Sequence, residues 1–333
     1  MMDNVEDILT SSFAKLLTEE CDLRTVREVE QGRPAEKLWG AIEASGFADA
    51  LLPEDRGGAG LSLQSAFPLF ELCGFHAVPL PVAETLVGRA LLALSSLEIP
   101  TGSITLAVAG PAQDAVRCDA VAYGAVAEHA LVSNQGTVLL LETAAATKLR
   151  AEFPLDATLQ WSRDITSAAP QFATADLRLV QACLAAANLS GVLQATLART
   201  LRYANERVQF GRSIGKFQAI QQQLSVMAEE VLSARVAAQL ACRGQAHELS
   251  PAAVAVAKSR TSAAAREVAA IAHAVHGAIG FTAEFDLQIF TRRLHRDRIR
   301  SGAEGHWNDV LGDQVLMWQG ETVDFLREFS DVK

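Results

Sequence analysis

Positive charge and glycine come together between Tyr203 and Gln221. There Arg207, Arg212 and Lys216 flank Gly211 and Gly215, with Gln209 and Phe210 between them. The pattern reads as a helix end, a glycine-punctuated turn and a new helix beginning near Phe217. Backbone N–H groups at the start of a helix lack internal partners and favour an anion. A guanidinium meets phosphate oxygens in fork geometry, so the segment suits a pyrophosphate. A solvated basic turn between two helices fits the same residues. Two further groups invite a chemical reading. His273 and His276 stand three apart, a spacing metal ligands use, but no third ligand accompanies them and no metal is expected. Arg292-Arg293 and His295-Arg296 form a basic strip, either a solvated face or a contact for phosphates.

Three zones must position these residues. The first, 1–100, is helical in pattern: Lys37–Ala44 spaces apolar groups at helical intervals and stops at Gly46, and further helices are expected near Ser62 and Val82. Between them, Pro53 to Gly60 is a loop dense in glycine. The second zone, 101–175, carries short β-prone runs at 104–109, 130–133 and 137–141, with Asn134-Gln135-Gly136 suited to a tight hairpin. The third, 176–333, is helical again: 177–204, 217–246 and 251–276, with Ser250 as N-cap ahead of Pro251, and a last helix over the final 25 residues. The expected fold is mainly α: an N-terminal helical domain, a small β-barrel-like middle domain and a C-terminal four-helix bundle. The order is not the β-α alternation of a Rossmann sheet, and no G-x-G-x-x-G follows a strand.

Composition narrows the field. The 333 residues carry 29 Lys+Arg against 39 Asp+Glu, a net charge of −10 that argues against a nucleic-acid partner. Half the residues are hydrophobic, yet no unbroken apolar run of membrane-spanning length occurs, so no membrane partner is expected. Asp3, Glu6 and Asp7 stand where a signal peptide would need basic residues and then an apolar core, so the expected compartment is the cytoplasm. The five cysteines show no C-x-x-C pair and read as buried thiols.

The stretch Glu206-Arg207-Val208-Gln209-Phe210-Gly211 to Phe217-Gln218-Ala219-Ile220-Gln221 resembles the E-R-x-Q-F-G…F-Q-x-(I/V)-Q signature of acyl-CoA dehydrogenases. Two other segments agree, in the family's order. Gly46-Phe47 with Pro53-Glu54 and Gly57 to Gly60 is similar to its P-E-x-x-G-G-x-G loop, and His276-Gly277-Ala278-Ile279-Gly280-Phe281-Thr282 to its H-G-G-x-G-(Y/F)-(T/S) turn. The resemblance implies that Arg207, Gln209, Phe210 and Gln218 contact FAD across a subunit interface. It implies that His276, Gly277, Ala278 and Gly280 let the ADP half approach the backbone. Three departures stand out: Ala274 where the family has glutamine, Ala278 in place of the second glycine, and no (T/S)-E-P-x-x-G-S-D loop in a shortened middle zone.

The implied reaction is α,β-dehydrogenation of an acyl-CoA, with electrons passed to an electron-transfer flavoprotein. It needs a carboxylate base. Glu304-Gly305, after Arg296-Asp297, matches the family's E-G step, which implies Glu304. A surface glutamate paired with Arg296, Arg298 or Arg300 fits the same spacing, and Glu248 is the other candidate. Homo-oligomers and hetero-oligomers with a second acyl-CoA dehydrogenase-like chain both fit. In the second case this chain could be a non-catalytic partner that completes another subunit's site.

Overall fold

The computed structural model describes residues 2–111, 115–173 and 176–330. The expected boundary at 175 falls outside them. The protein is mainly helical with a small sheet region. It divides into two compact units: Met1–Phe70, Val78–Leu184 and Gly244–Glu248 in the first, Glu71–Ala77, Ala185–Arg243 and Leu249–Lys333 in the second.

The first unit opens with α1 (Met2–Glu20), α2 (Leu23–Glu30) and α3 (Glu36–Ala44). Asp22 caps α2 by accepting from the Thr25 N–H at 2.7 Å. Gly46, at φ 78°, ends α3 in a left-handed conformation that glycine adopts without strain. The loop after Pro53 folds on itself, the Gly60 N–H donating to the Leu52 carbonyl at 2.8 Å. α4 (Leu63–Phe75) and α5 (Val82–Leu94) follow. Arg89 of α5, almost fully buried, donates to Asp49 at 2.8 Å, to Glu43 at 2.5 Å and to the Gly102 carbonyl at 3.0 Å, tying the helices to the sheets.

The middle zone is richer than its apolar runs suggest. One sheet orders β1 (Ile104–Val108), β3 (His129–Asn134), β4 (Thr137–Glu142) and β7 (Gln171–Phe172). The other orders β2 (Ala115–Val121), β6 (Ala157–Ser162) and β5 (Thr147–Arg150), with α6 (Arg163–Ala168) after β6. Asn134 pairs with Thr137, so the hairpin turn is Gln135-Gly136, both at positive φ as the tightest hairpins require. Trp161, Leu159, Val132 and Leu141 fill the space between the sheets.

α7 (Leu177–Glu206) begins in the first unit and continues in the second. By length and composition it could cross a membrane, but 78% of its most apolar stretch is buried inside the protein. Glycine lets it touch the end of α4: a Cβ at Gly191 would stand 1.9 Å from the Glu71 carbonyl oxygen. A short hairpin, β8 (Val208–Gln209) and β9 (Arg212–Ser213), leads to α8 (Gln218–Ala241) and α9 (Pro251–His276). Ser250 caps α9 as expected, its hydroxyl accepting from the Ala253 N–H at 3.3 Å.

Two expectations for the C-terminal region need correction. The basic strip is a helix, α10 (Leu287–Ile299), and Arg293 and Arg296 are buried rather than solvated. Arg293 satisfies its guanidinium on the carbonyls of Ile289 and Ala77, at 3.2 Å each. The single terminal helix is two, α11 (Glu304–Met317) and α12 (Thr322–Ser330), separated at Gly320. All five cysteines are buried thiols outside any disulfide.

Candidate active site

The signature turn folds as a projecting hairpin. Val208 pairs with Ser213 and Gln209 with Arg212, and the Ile214 N–H closes back on the Arg207 carbonyl at 2.8 Å. Phe210 and Gly211 form its tip at φ 52° and 80°. A phenylalanine rarely holds positive φ, and this one is 92% exposed. A strained aromatic held out in water is free to make a contact outside the chain. Arg207, Gln209 and Gln218 are exposed beside it. Arg212 is occupied differently, its guanidinium 4.1 Å over the Phe217 ring.

A residue absent from the sequence-derived site joins this hairpin to the second cofactor segment. Tyr203, in the last turn of α7, stacks on His276 at 4.3 Å and donates to the His276 carbonyl at 3.3 Å. Arg207, Gln209, Phe210 and Gln218 are thereby brought to the same end of α9 as the His276–Gly280 turn. Gly277 is at φ 64° with open space where a Cβ would point, as a turn approached by a ligand requires. Ala278 is exposed. Gly280 is needed for packing, since a Cβ there would stand 3.0 Å from the His276 Cβ.

Beside the turn is a recess of about 500 Å³ lined by Arg266, His273, His295, Phe281 and small residues including Ala274. His273 stacks on Phe281 at 4.2 Å, and its Nε2 meets the Thr291 hydroxyl at 3.1 Å. His276 Nδ1 donates to the Ala272 carbonyl at 2.7 Å. The Nδ1 of His273 and the Nε2 of His276 are buried without a protein partner among the described residues. Burial holds both rings below the ordinary imidazole pKa. The neighbouring His295 adds to the effect at His273, and the hydrogen bond to Ala272 opposes it at His276. With its proton on Nδ1, His276 offers Nε2 as an acceptor; that lone pair, the Arg266 rim and the open glycine fit the adenosine end of FAD, which brings hydroxyl and amino donors. Alanine at 274 leaves this recess wide. The positions 266, 270, 273 and 274 share one helix face, a periodicity that could have revealed it.

Glu304 lies elsewhere. It is the first residue of α11, where a negative charge suits the helix dipole. Arg298 grips it: the guanidinium Nε stands 3.2 and 3.1 Å from the two carboxylate oxygens, and Nη2 bonds Oε1 as well. That pairing holds the Glu304 carboxyl below its usual range, burial opposing it. Arg296 instead faces Asp297, at 3.5 Å. Glu248 sits in the tight turn Gln245–Glu248 of the first unit with a 76% exposed side chain. Glu304 lies beside the middle of α9: the turn that carries it is bonded to Lys258 and its carboxylate feels Arg266, whereas His276 ends that helix, about 15 Å beyond position 266 at 1.5 Å per residue. Arg266, which lines the recess, thus stands between the cofactor turn and Glu304. A larger cavity of about 1000 Å³ in the first unit is lined by none of these residues.

Comparison with known proteins completes the picture. A model of the acyl-CoA dehydrogenase C-terminal domain matches residues 173–316. Acyl-CoA dehydrogenase IpdE2 of Mycobacterium tuberculosis is 31% identical over 265 residues, covering 78% of this chain and 80% of that protein. Acyl-CoA dehydrogenase FadE34 of the same organism is 30% identical over 293 residues, covering 81% of this chain and 41% of its own. Among solved structures, the Tcur3481–Tcur3483 steroid ACAD G363A variant matches with TM-score 0.82 at 24% identity, over 95% of this chain and 99% of that one. The ChsE4–ChsE5 complex from Mycobacterium tuberculosis matches at 0.78 and 18%, over 95% and 98%. At these identities the structural likeness establishes the fold.

Proposed function

The chain belongs to the acyl-CoA dehydrogenase family, and from that footing we propose that it carries two half-sites of shared flavin pockets in a cytoplasmic α,β-dehydrogenase of acyl-CoA thioesters. The carrying observation is the separation along α9. Arg207, Phe210 and the His276–Gly280 turn face outward at one end, for the FAD of a neighbouring subunit, and Glu304 stands beside the middle of the helix, for a pocket of its own. The exposed, strained Phe210 supports a neighbour as its target. On this reading 1–100, 101–175 and 176–333 are the family's N-terminal, middle and C-terminal domains.

Bound FAD supplies the acceptor for the β-hydrogen, which leaves as hydride. Arg207 would meet its phosphates, while the open Gly277 and the recess at Arg266 and His273 would take the adenosine end. Glu304 receives the α-proton on a carboxylate oxygen. Paired with Arg298 it is ionised at neutral pH but a weak base. An acyl chain that displaces water and loosens the Arg298 contact strengthens it. An electron-transfer flavoprotein is the proposed electron acceptor. The assemblies named for the structural neighbours support a second acyl-CoA dehydrogenase-like chain as the partner and a bulky, steroid-like acyl group as the substrate.

The Arg298 pair also favours a second reading, in which this chain is the non-catalytic member of such a heteromer and the base belongs to the other subunit. One experiment separates the two. The purified assembly is mixed anaerobically with butyryl-, octanoyl- and a steroid-side-chain acyl-CoA, and flavin bleaching is followed in wild type and Glu304→Gln. A loss of at least about 10²-fold in the variant, with flavin content unchanged, supports Glu304 as base. Bleaching at the wild-type rate removes Glu304 and favours a base in the partner.

A further inference from the structure

Lys258 has no place in the chemistry above, yet it is fully buried in the middle of an alanine-rich helix. A lysine in such a place must have its ammonium satisfied. All three of its donors are used: on the Ser262 hydroxyl at 2.9 Å, the Arg298 carbonyl at 2.8 Å and the Gly302 carbonyl at 2.8 Å. The two carbonyls bracket the reversal that carries the chain from α10 into α11.

That reversal has a single long backbone bond across it, from the Gly302 N–H to the Ile299 carbonyl at 3.3 Å, among the described residues. Ser301 and Gly302 lie at φ 57° and 99°. A Cβ on Gly302 would meet the His306 ring at 2.6 Å and the Trp307 indole nitrogen at 2.8 Å. A non-glycine residue such as Ser301 stays in the left-handed region only when its surroundings fix it there. The Trp307 indole donates to the Ser301 carbonyl at 2.9 Å, and the Ser262 hydroxyl donates to the Arg298 carbonyl at 3.1 Å. Lys258 reaches both ends of the turn. Arg298, whose carbonyl it grips, is also the residue whose guanidinium grips Glu304.

We propose that Lys258 is the positioning residue for the Glu304 carboxylate. By clamping the carbonyls of Arg298 and Gly302 it fixes the Arg298–Glu304 arm, and so sets where the base stands relative to a bound thioester. The charged groups around it are Asp297, Arg298 and Arg300 from α10 and its end, and Glu304 from α11. On the other side of α9, Glu230 of α8 is paired with Arg260. The proposal rests on the reading of Glu304 as base, and its test separates the two.

The FAD-loaded assembly is prepared as wild type, Lys258→Met, Lys258→Gln and Glu304→Gln. Methionine keeps the volume and removes every donor, whereas glutamine, one bond shorter, returns two N–H donors directed at the same carbonyls. Hydrogen–deuterium exchange of the segment 299–307 reads the clamp without any substrate. It should quicken at least tenfold in Lys258→Met and recover in large part in Lys258→Gln. Anaerobic bleaching by whichever of the three acyl-CoA probes reduces the wild type reads the chemistry. Its limiting rate should fall at least tenfold in Lys258→Met with little change in half-saturation, and recover in Lys258→Gln. Unchanged exchange in Lys258→Met overturns the clamp. Quickened exchange with an unchanged bleaching rate, while Glu304→Gln is inactive, overturns the positioning role. Should Lys258→Met fail to fold, Lys258→Gln with wild-type exchange beside lost bleaching overturns the proposal equally. If Glu304→Gln bleaches normally, the base reading fails on its own measurement and the positioning role falls with it.

Discussion

The charge on Lys258 should be visible in the stability of the whole protein. Burial pushes its ammonium from the ordinary 10.5 down to about 7; among its neighbours, Asp297 and Glu304 oppose the fall and Arg300 and Arg298 add to it. The folded pKa of a cation is thus lowered, so the unfolded chain binds the extra proton between pH 7 and 10.5. Stability must therefore rise with pH across that window, by up to about 1.4 kcal/mol per unit. The full gap corresponds to about 5 kcal/mol, an upper bound, because the three acceptors favour the charged form. Lys258→Met has no such proton to lose. The difference in unfolding free energy, wild type minus variant, should grow by about 2 kcal/mol from pH 7 to pH 9. Urea midpoints of both proteins at pH 7, 8 and 9, at equal FAD concentration, measure it, because the other titrating groups cancel in the difference. Parallel pH profiles would refute the reasoning: they would mean that the hydrogen bonds outweigh desolvation and the ammonium stays charged throughout.

Other outcomes follow from the geometry. Arg207→Ala should weaken FAD binding about ten- to a hundredfold, the worth of a charge-assisted phosphate contact, and titration of the apoprotein with FAD checks it. Phe210→Asp should lower the assembled mass in light scattering at micromolar concentration while leaving the melting curve of each chain intact. An unchanged mass would place the hairpin away from any interface. Gly191→Ala should destabilise by more than about 2 kcal/mol, because its Cβ would stand 1.9 Å from the Glu71 carbonyl oxygen. A thermal shift under a few degrees would show that α4 and α7 separate easily. Arg298→Met removes the main cause of the lowered Glu304 pKa. The stabilisation that wild type holds over this variant should be present above the ordinary carboxyl value of 4.5 and fade as pH falls below it. Unfolding at pH 6 and pH 3.5 reads that difference.

The sequence by itself determined the elements whose causes are local. Ser250-Pro251 announced the start of α9, Gly46 the end of α3, and Gln135-Gly136 the hairpin, because capping, left-handed glycine and tight-turn geometry depend on a few neighbouring residues. The motif around Arg207 and Phe210 was equally legible, and with it the family. The strands β2, β5 and β6 were not, since their pairing is set by partners far along the chain. Nor was the burial of Arg293 and Arg296, which reads as a solvated strip until the carbonyls that receive Arg293 are known. The site divides in the same way. Residue types named Glu304 and His276, but only the tertiary structure put Glu304 beside the middle of α9 and His276 at its end, tied Tyr203 to His276, and gave Glu304 to Arg298. Lys258 marks the limit most sharply. In sequence it is one lysine in an alanine-rich helix, and its burial and two of its three acceptors exist only because the chain from α10 to α11 folds over it.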